Sequence, residues 1–147
     1  KHGSKMIQAA ANIRVPKLTF YVGASYGAGN YGMAGYGYDP DFLFAWPGAM
    51  TGVMSGESAA GTMETVALNS AKRRGVEPDM EALAKQRAAI EKVFSSQEDA
   101  FFTSGRLLDH GVVDPRDTRK ILGFTLETIW ERKHRTLHPN AFGIGRM

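Results

Sequence analysis

A run of β-forming residues, Lys17–Val22, leads directly into a segment dominated by glycine and tyrosine. All five tyrosines of the 147-residue chain lie between Tyr21 and Tyr38, and six of its 17 glycines lie between Gly23 and Gly37. A glycine-rich turn after a strand leaves backbone amides accessible, because no side chains crowd them. The sequence therefore places the chemistry of this chain at the end of its first strand.

The rest of the chain alternates short apolar runs with helical patterns. In order, it predicts a helix over 4–13, strands over 17–22, 42–46 and 51–54, helices over 56–74 and from Pro78, a loop around 104–105, and a helix opened by Asp114-Pro115. Ser55 is predicted to cap the helix that Gly75 ends. One broad apolar face is expected on the last helix, at Ile121, Leu122, Thr125, Leu126, Ile129 and Trp130. Strand–loop–helix alternation predicts an α/β fold.

Composition argues against several classes of function. The excess of 18 Lys+Arg over 15 Asp+Glu is mild, and no basic stripe runs among the tyrosines, so no nucleic-acid surface is expected. No apolar run approaches the roughly 18 residues of a membrane span. There is no cysteine, and the four scattered histidines form no metal-ligand motif, so no metal site is expected. Side-chain acid–base or nucleophilic catalysis has no motif to support it.

The segment Gly27–Gly32 matches G-x-G-x-x-G, the pattern of dinucleotide-binding loops. Its context does not fit, because the next acid, Asp39, follows Gly29 by ten residues instead of about 20. The residues after Gly32 also make a poor helix interior. Two interpretations remain open on these residues alone. Either paired backbone amides stabilise an oxyanion, or the glycines only permit tight packing.

Several segments together carry a family resemblance: Ser25–Met33, Tyr38–Pro40, Phe42–Pro47, Val53–Ala60, Asp109–Arg119 and Phe142–Met147. They resemble the carboxyltransferase (β) subunits of biotin-dependent acyl-CoA carboxylases, nearest to the methylcrotonoyl-CoA and geranyl-CoA type. The resemblance implies a crotonase-like (ClpP-type) α/β superhelix, here a partial domain. Residues 1–147 match the later part of the C-terminal, biotin-side domain. The N-terminal acyl-CoA domain has no counterpart in this chain, and the last segment looks like the family's own C-terminus.

The resemblance also implies a mechanism. Such enzymes, ligases that form carbon–carbon bonds, transfer carbon dioxide from carboxybiotin to the α or γ carbon of an acyl-CoA through an enolate. The oxyanion hole for the biotin urea oxygen falls on the amides of Ala28 and Gly29. The residues implied to shape the biotin pocket are Tyr26, Gly27, Tyr31 and Met33. Packing in the core is the alternative role for the two tyrosines and the methionine.

The partners follow from the same resemblance. The cofactor is biotin, carried as carboxybiotin on a partner subunit or domain, and the substrate is a coenzyme A thioester. Expected protein partners are a biotin carboxylase/biotin carboxyl carrier subunit and the N-terminal carboxyltransferase domain of a neighbouring subunit, in a homo-oligomer within a larger complex. No nucleic acid or membrane is expected as a partner. The expected location is the cytoplasm, or the mitochondrial matrix in a eukaryote, and the isolated chain is expected to be inactive.

Several positions depart from the usual methylcrotonoyl-type pattern. Tyr36, Asp41 and Met50 stand where arginine is usual, Gly48 where asparagine is usual, and Gly37, Ser55 and Ser58 where alanine, glycine and glutamine are usual. Arginine is not exchangeable with tyrosine, aspartate or methionine at a paired site, so the acyl substrate stays open. Two alternatives to a carboxylase also stay open. One is a biotin-dependent acyl-CoA decarboxylase subunit that uses the same site in reverse, and the other is a non-catalytic assembly domain that keeps the fold.

Overall fold

The computed structural model of the chain describes residues 2–137 and residue 143. Its helices are α1 His2–Asn12, α2 Gly27–Gly32, α3 Gly56–Arg74, α4 Met80–Ser95, α5 Ala100–Gly105 and α6 Thr118–His134. Its strands are β1 Leu18–Tyr21, β2 Ala24–Tyr26, β3 Phe42–Ala45 and β4 Met50–Gly52. Short 3-10 turns span Tyr36–Tyr38 and Pro115–Asp117. The expected C-terminal segment, Phe142–Met147, lies outside the described residues except for residue 143.

The strands form two short parallel ladders. In the first, β1 pairs with β3 and Tyr21 lies opposite Ala45. In the second, β2 pairs with β4 and Tyr26 lies opposite Gly52. Parallel pairing requires a crossover between partner strands, and the segment containing α2 supplies it for both ladders. The predicted α/β class is therefore what these residues form.

The apolar core lies where the first ladder meets α5. Its buried members are Tyr21, Leu43, Ala45, Ala49 and Ala100, with Tyr36 and Val112 half-buried against them. Three of these five buried residues are alanine, so few large side chains are buried in this core. The larger aromatic residues Phe20, Phe42 and Phe44 contact one another on the strands.

Helices α3 and α4 pack on each other, and the sequence signals for α3 are confirmed. The Ser55 side chain accepts a hydrogen bond from the Ser58 amide, and Gly75 ends the helix in the left-handed conformation. Arg87 of α4 donates to Glu64 of α3 at 2.8 Å, which links the two helices. Helix α4 begins at Met80 instead of Pro78, because the Asp79 carboxylate caps the amides of the next turn.

Three expectations were wrong. Residues 27–32 form a helix where a glycine-rich turn was expected, and α5 occupies the region expected as a loop. The Asp99 carboxylate caps α5 by accepting from the amides of Phe101 and Phe102. On α6 the expected broad face is narrow, since Thr125 and Ile129 are buried whereas Leu126 and Trp130 are 49% and 67% exposed.

Candidate active site

The junction between β2 and α2 contains no loop residue. Tyr26 ends the strand and is also the N-cap residue of the helix. Gly27 follows with φ +52°, a conformation that L side chains rarely adopt. A Cβ atom at this position would lie 3.1 Å from the carbonyl oxygen of Val53. Both the backbone conformation and the close approach therefore require glycine, and the chain turns from strand to helix within one residue.

The amides of Ala28 and Gly29 lie in the first turn of α2. Amides in a first turn have no acceptor within their own helix. Tyr26 gives this helix no side-chain cap. Both residues are exposed, and a Cβ atom on Gly29 would meet no described atom within 4 Å. The two adjacent residues that carry these N–H groups are thus exposed at the start of α2.

A buried polar side chain fixes the position of α2. Asn30 is 4% exposed and is the buried residue of this helix. Its Nδ2 carries two hydrogens and lies within hydrogen-bonding distance of three acceptors: the Tyr21 hydroxyl at 2.8 Å, Thr51 Oγ1 at 3.0 Å and Ser25 Oγ at 3.2 Å. These acceptors belong to β1, β4 and β2, so one side chain ties the helix to three strands.

Tyr21 extends this polar network to the turn that follows α2. Its hydroxyl accepts a hydrogen bond from the Tyr36 amide at 3.1 Å. Burial is the main cause that raises the pKa of the Tyr21 phenol, partly opposed by the groups that donate to it. A Cβ atom on Gly35 would overlap the Asn30 carboxamide and lie 2.6 Å from the Tyr21 hydroxyl oxygen. The close approach of the Asn30 and Tyr21 side chains therefore requires glycine at position 35.

The Tyr26 side chain points to a carboxylate that the sequence did not indicate. Its hydroxyl donates to Glu98 Oε2 at 2.7 Å. Burial, followed by this hydrogen bond and the charge of Glu98, raises the pKa of Tyr26 to about 12. The Glu98 carbonyl accepts from the Thr51 amide at 2.8 Å, which holds the carboxylate beside β4. Since 72 residues separate Tyr26 and Glu98, no local pattern could have paired them.

The residues predicted to shape a biotin pocket do not share one environment. Tyr26 and Gly27 are half-buried at the strand–helix junction. Tyr31 and Met33 are 47% and 66% exposed, so core packing, the alternative considered for them, does not describe these two side chains. The Tyr31 ring lies edge-on to Tyr38, with 5.6 Å between ring centroids. Met33 lines a groove of about 300 Å³ along β1.

Two of the positions where arginine is usual in the family have local partners in this structure. Asp41 accepts a hydrogen bond from the Lys17 amide at 2.9 Å and pairs with Arg132 of α6 at 3.4 Å. Tyr36 is half-buried and packs against the core. Gly48 and Met50 are exposed, and no contact explains their replacement of the usual asparagine and arginine.

Residues 1–143 match the family described as the carboxyl transferase domain. The chain belongs to this family. A probable biotin-dependent acyl-coenzyme A carboxylase beta2 subunit of Mycobacterium tuberculosis is 49% identical over 129 residues, covering 88% of this chain and 24% of that protein. The mitochondrial methylcrotonoyl-CoA carboxylase beta chain of Arabidopsis thaliana is 40% identical over 150 residues, covering 100% of this chain and 24% of that protein.

Solved structures give the same result. The geranyl-CoA carboxylase beta subunit of P. aeruginosa matches with a TM-score of 0.81 and 45% identity, over 100% of this chain and 27% of that chain. The 12S transcarboxylase, whose crystal structure describes a hexamer assembly with hydrolysed methylmalonyl-coenzyme A bound, matches with a TM-score of 0.67 and 27% identity, over 97% of this chain and 26% of that one. The expected crotonase-like α/β fold is confirmed by these neighbours.

This chain spans about a quarter of the length of the relatives it matches. In the described part, no helix combines the length and apolar character needed to cross a membrane.

Proposed function

We propose that this chain provides the biotin side of the carboxyltransferase site in a biotin-dependent acyl-CoA carboxylase. The site would transfer carbon dioxide from carboxybiotin to the α or γ carbon of an acyl-CoA. The observation that carries the proposal is the uncapped, exposed first turn of α2, in a chain that belongs to the carboxyl transferase family. Residues 1–147 would be the later part of the biotin-side domain, and the acyl-CoA domain would lie outside this chain.

The donors at the start of α2 suit the ureido group of biotin. A ureido oxygen accepts two hydrogen bonds, and the adjacent, exposed residues Ala28 and Gly29 would supply two N–H donors. Preorganised N–H donors stabilise negative charge that develops on such an oxygen, without reorganisation during the reaction. When bound, carboxybiotin supplies the carbon dioxide, and its ureido nitrogen accepts the proton that leaves the acyl-CoA.

The chain's own residues then act by positioning and electrostatics. Tyr26, Gly27, Tyr31 and Met33 would line the pocket. Tyr26, like any tyrosine, keeps its proton at neutral pH, and burial with Glu98 raises its pKa further, to about 12, so its ring would be a neutral wall and not an acid or base. Because the backbone amides would stabilise the charge and the side chains would only line the pocket, the proposed site needs no catalytic histidine or cysteine.

The partners follow from the proposed role. Biotin would arrive on a biotin carboxylase/biotin carboxyl carrier subunit, and the acyl-CoA would be held by the N-terminal carboxyltransferase domain of a neighbouring subunit. We therefore expect a homo-oligomer within a larger complex. Its location would be cytoplasmic in a bacterium and mitochondrial in a eukaryote, as in the Arabidopsis relative.

A pair of substitutions at one position tests the role of the amides. Gly29→Pro removes the N–H donor, whereas Gly29→Ala keeps it and adds a methyl group that meets no described atom within 4 Å. In a complete carboxylase containing this chain, removal of one oxyanion donor should lower kcat for carboxyl transfer about 100- to 1,000-fold. The proline variant should be at least about tenfold slower than the alanine variant. Unchanged turnover in Gly29→Pro would refute the proposed function.

A further inference from the structure

We propose that Asn30 is the positioning residue of this site. It would set the direction of the Ala28 and Gly29 amides by fixing α2 against three strands. The inference rests on the proposed function, because it assigns Asn30 a task only if those amides act in catalysis. Asn30 is only 4% exposed, so its side chain is buried and would not touch either substrate.

Helix α2 lacks the usual means of stabilisation. It has only six residues, and three of them are glycine, the least favourable helix former after proline. Isolated helices this short do not form in water, so tertiary contacts must hold it. Its buried residue is polar, and its Tyr31 side chain is 47% exposed. A polar anchor thus takes the place of the apolar face that normally docks a helix.

The acceptors around Asn30 are themselves held in place. Tyr21 and Thr51 are 6% and 4% exposed, so water does not readily replace the Asn30 donor. The Tyr21 hydroxyl also accepts a hydrogen bond from the Tyr36 amide, and the Thr51 hydroxyl donates to the Ser25 carbonyl at 2.8 Å. Each partner therefore has a defined orientation, and together they hold the helix against rotation as well as displacement.

The anchor is close to the donors along the chain. Asn30 follows Gly29 directly and Ala28 by two positions, so a shift of its side chain moves both amides. A displacement of about 1 Å at a reacting group can cost about 100-fold in rate. Loss of the anchor should therefore lower kcat. It should leave the KM for the acyl-CoA unchanged, since α2 lies on the biotin side of the proposed site.

The test compares Asn30→Leu with Asn69→Leu in the complete carboxylase. Leucine matches asparagine in shape and cannot donate. Asn69 provides the matched control, because it is an exposed asparagine within a helix, α3. We expect kcat to fall about 10- to 100-fold in Asn30→Leu, with the KM for acyl-CoA within about twofold of wild type. The control should keep wild-type values. Wild-type kcat in Asn30→Leu, or a change confined to KM, would overturn the proposal.

A second variant covers the case in which Asn30→Leu does not fold. Asn30→Asp has the same shape as asparagine. When the carboxyl group is ionised, it has no donor and buries a charge. When it is protonated, its O–H group provides one donor. Its kcat relative to wild type should rise as the pH falls, and a ratio that is flat and equal to one would overturn the proposal.

Parallel measurement of Gly29→Pro separates the two hypotheses. If Gly29→Pro keeps wild-type turnover, the proposed function fails and the role of Asn30 fails with it. If Gly29→Pro is impaired while Asn30→Leu is not, only the positioning role is wrong.

Discussion

Replacement of Gly35 by alanine tests whether the polar network holds α2 in place. The φ angle at Gly35 is −69°, which any residue adopts, so the added methyl group is the only source of strain. That methyl group would overlap the Asn30 carboxamide and lie 2.6 Å from the Tyr21 hydroxyl oxygen. The Asn30 side chain would have to leave its position, and its Nδ2 would lose its acceptors on Tyr21, Thr51 and Ser25.

The expected cost follows from these contacts. Overpacking costs about 1–3 kcal/mol, and leaving a buried partner unpaired costs about 1–3 kcal/mol more. The lower conformational entropy of alanine in the unfolded chain offsets about 0.4–1 kcal/mol of this. At the middle of these ranges, the free energy of local opening around α2 should fall by about 3 kcal/mol, which corresponds to about 100-fold faster amide exchange.

Hydrogen exchange followed by mass spectrometry on the complete subunit measures this effect. The informative peptide covers Tyr31–Tyr36, because the Gly35 amide donates to the Asn30 carbonyl and the Tyr36 amide to Tyr21. Gly23→Ala is the matched control, since a Cβ atom there meets nothing within 4 Å. If Gly35→Ala exchanged no faster than this control, the network would not be what holds the helix.

Two further predictions concern the strand–helix junction. Gly27→Ala places a side chain at φ +52° and 3.1 Å from the Val53 carbonyl oxygen. It should therefore destabilise the junction by about 1–2 kcal/mol, measured by hydrogen exchange of the α2 amides. It should also slow carboxyl transfer, measured as turnover. Protection and turnover at wild-type levels would show that glycine is not required. Because the pKa of Tyr26 rises from 10.0 to about 12 on folding, its bound proton stabilises the fold fully below pH 10, and that contribution is lost as the pH rises through 12. Tyr26→Phe should reduce the loss of stability above pH 10, measured as unfolding midpoints on both sides of that pH, and an unchanged slope would contradict the raised pKa of Tyr26.

Elements with strong local signals could be predicted from the sequence. β1 and β3 are rich in aliphatic and aromatic residues and end near glycine or proline. The limits of α3 follow from Ser55 and Gly75, which act as cap and stop as expected. In these elements the residues that determine the structure lie within one turn or one strand of each other.

The remaining features depend on residues that are distant in sequence. Local propensity disfavours a helix at Gly27–Gly32, and tertiary hydrogen bonds to residues nine and 21 positions away override it. The glycine pattern predicted a site after the first strand, but the short strand β2, which lies between β1 and Gly27, had no local signal. It could not show that Asn30 is the anchor or that Glu98 holds Tyr26, because both pairings exist only in the folded chain.

The one-residue passage from β2 into α2 also limits how this site can vary. The strand ends at Tyr26, and Ala28 follows it by two residues. The chain changes direction between them at Gly27, whose φ angle is +52°. An insertion or deletion there would rotate the donors away, with no loop to absorb the change. Length can vary freely only elsewhere, and the exposed side chains of Tyr31 and Met33 can be exchanged without moving the junction. In the proposed site, the donors would therefore stay fixed while the exposed side chains around them could change.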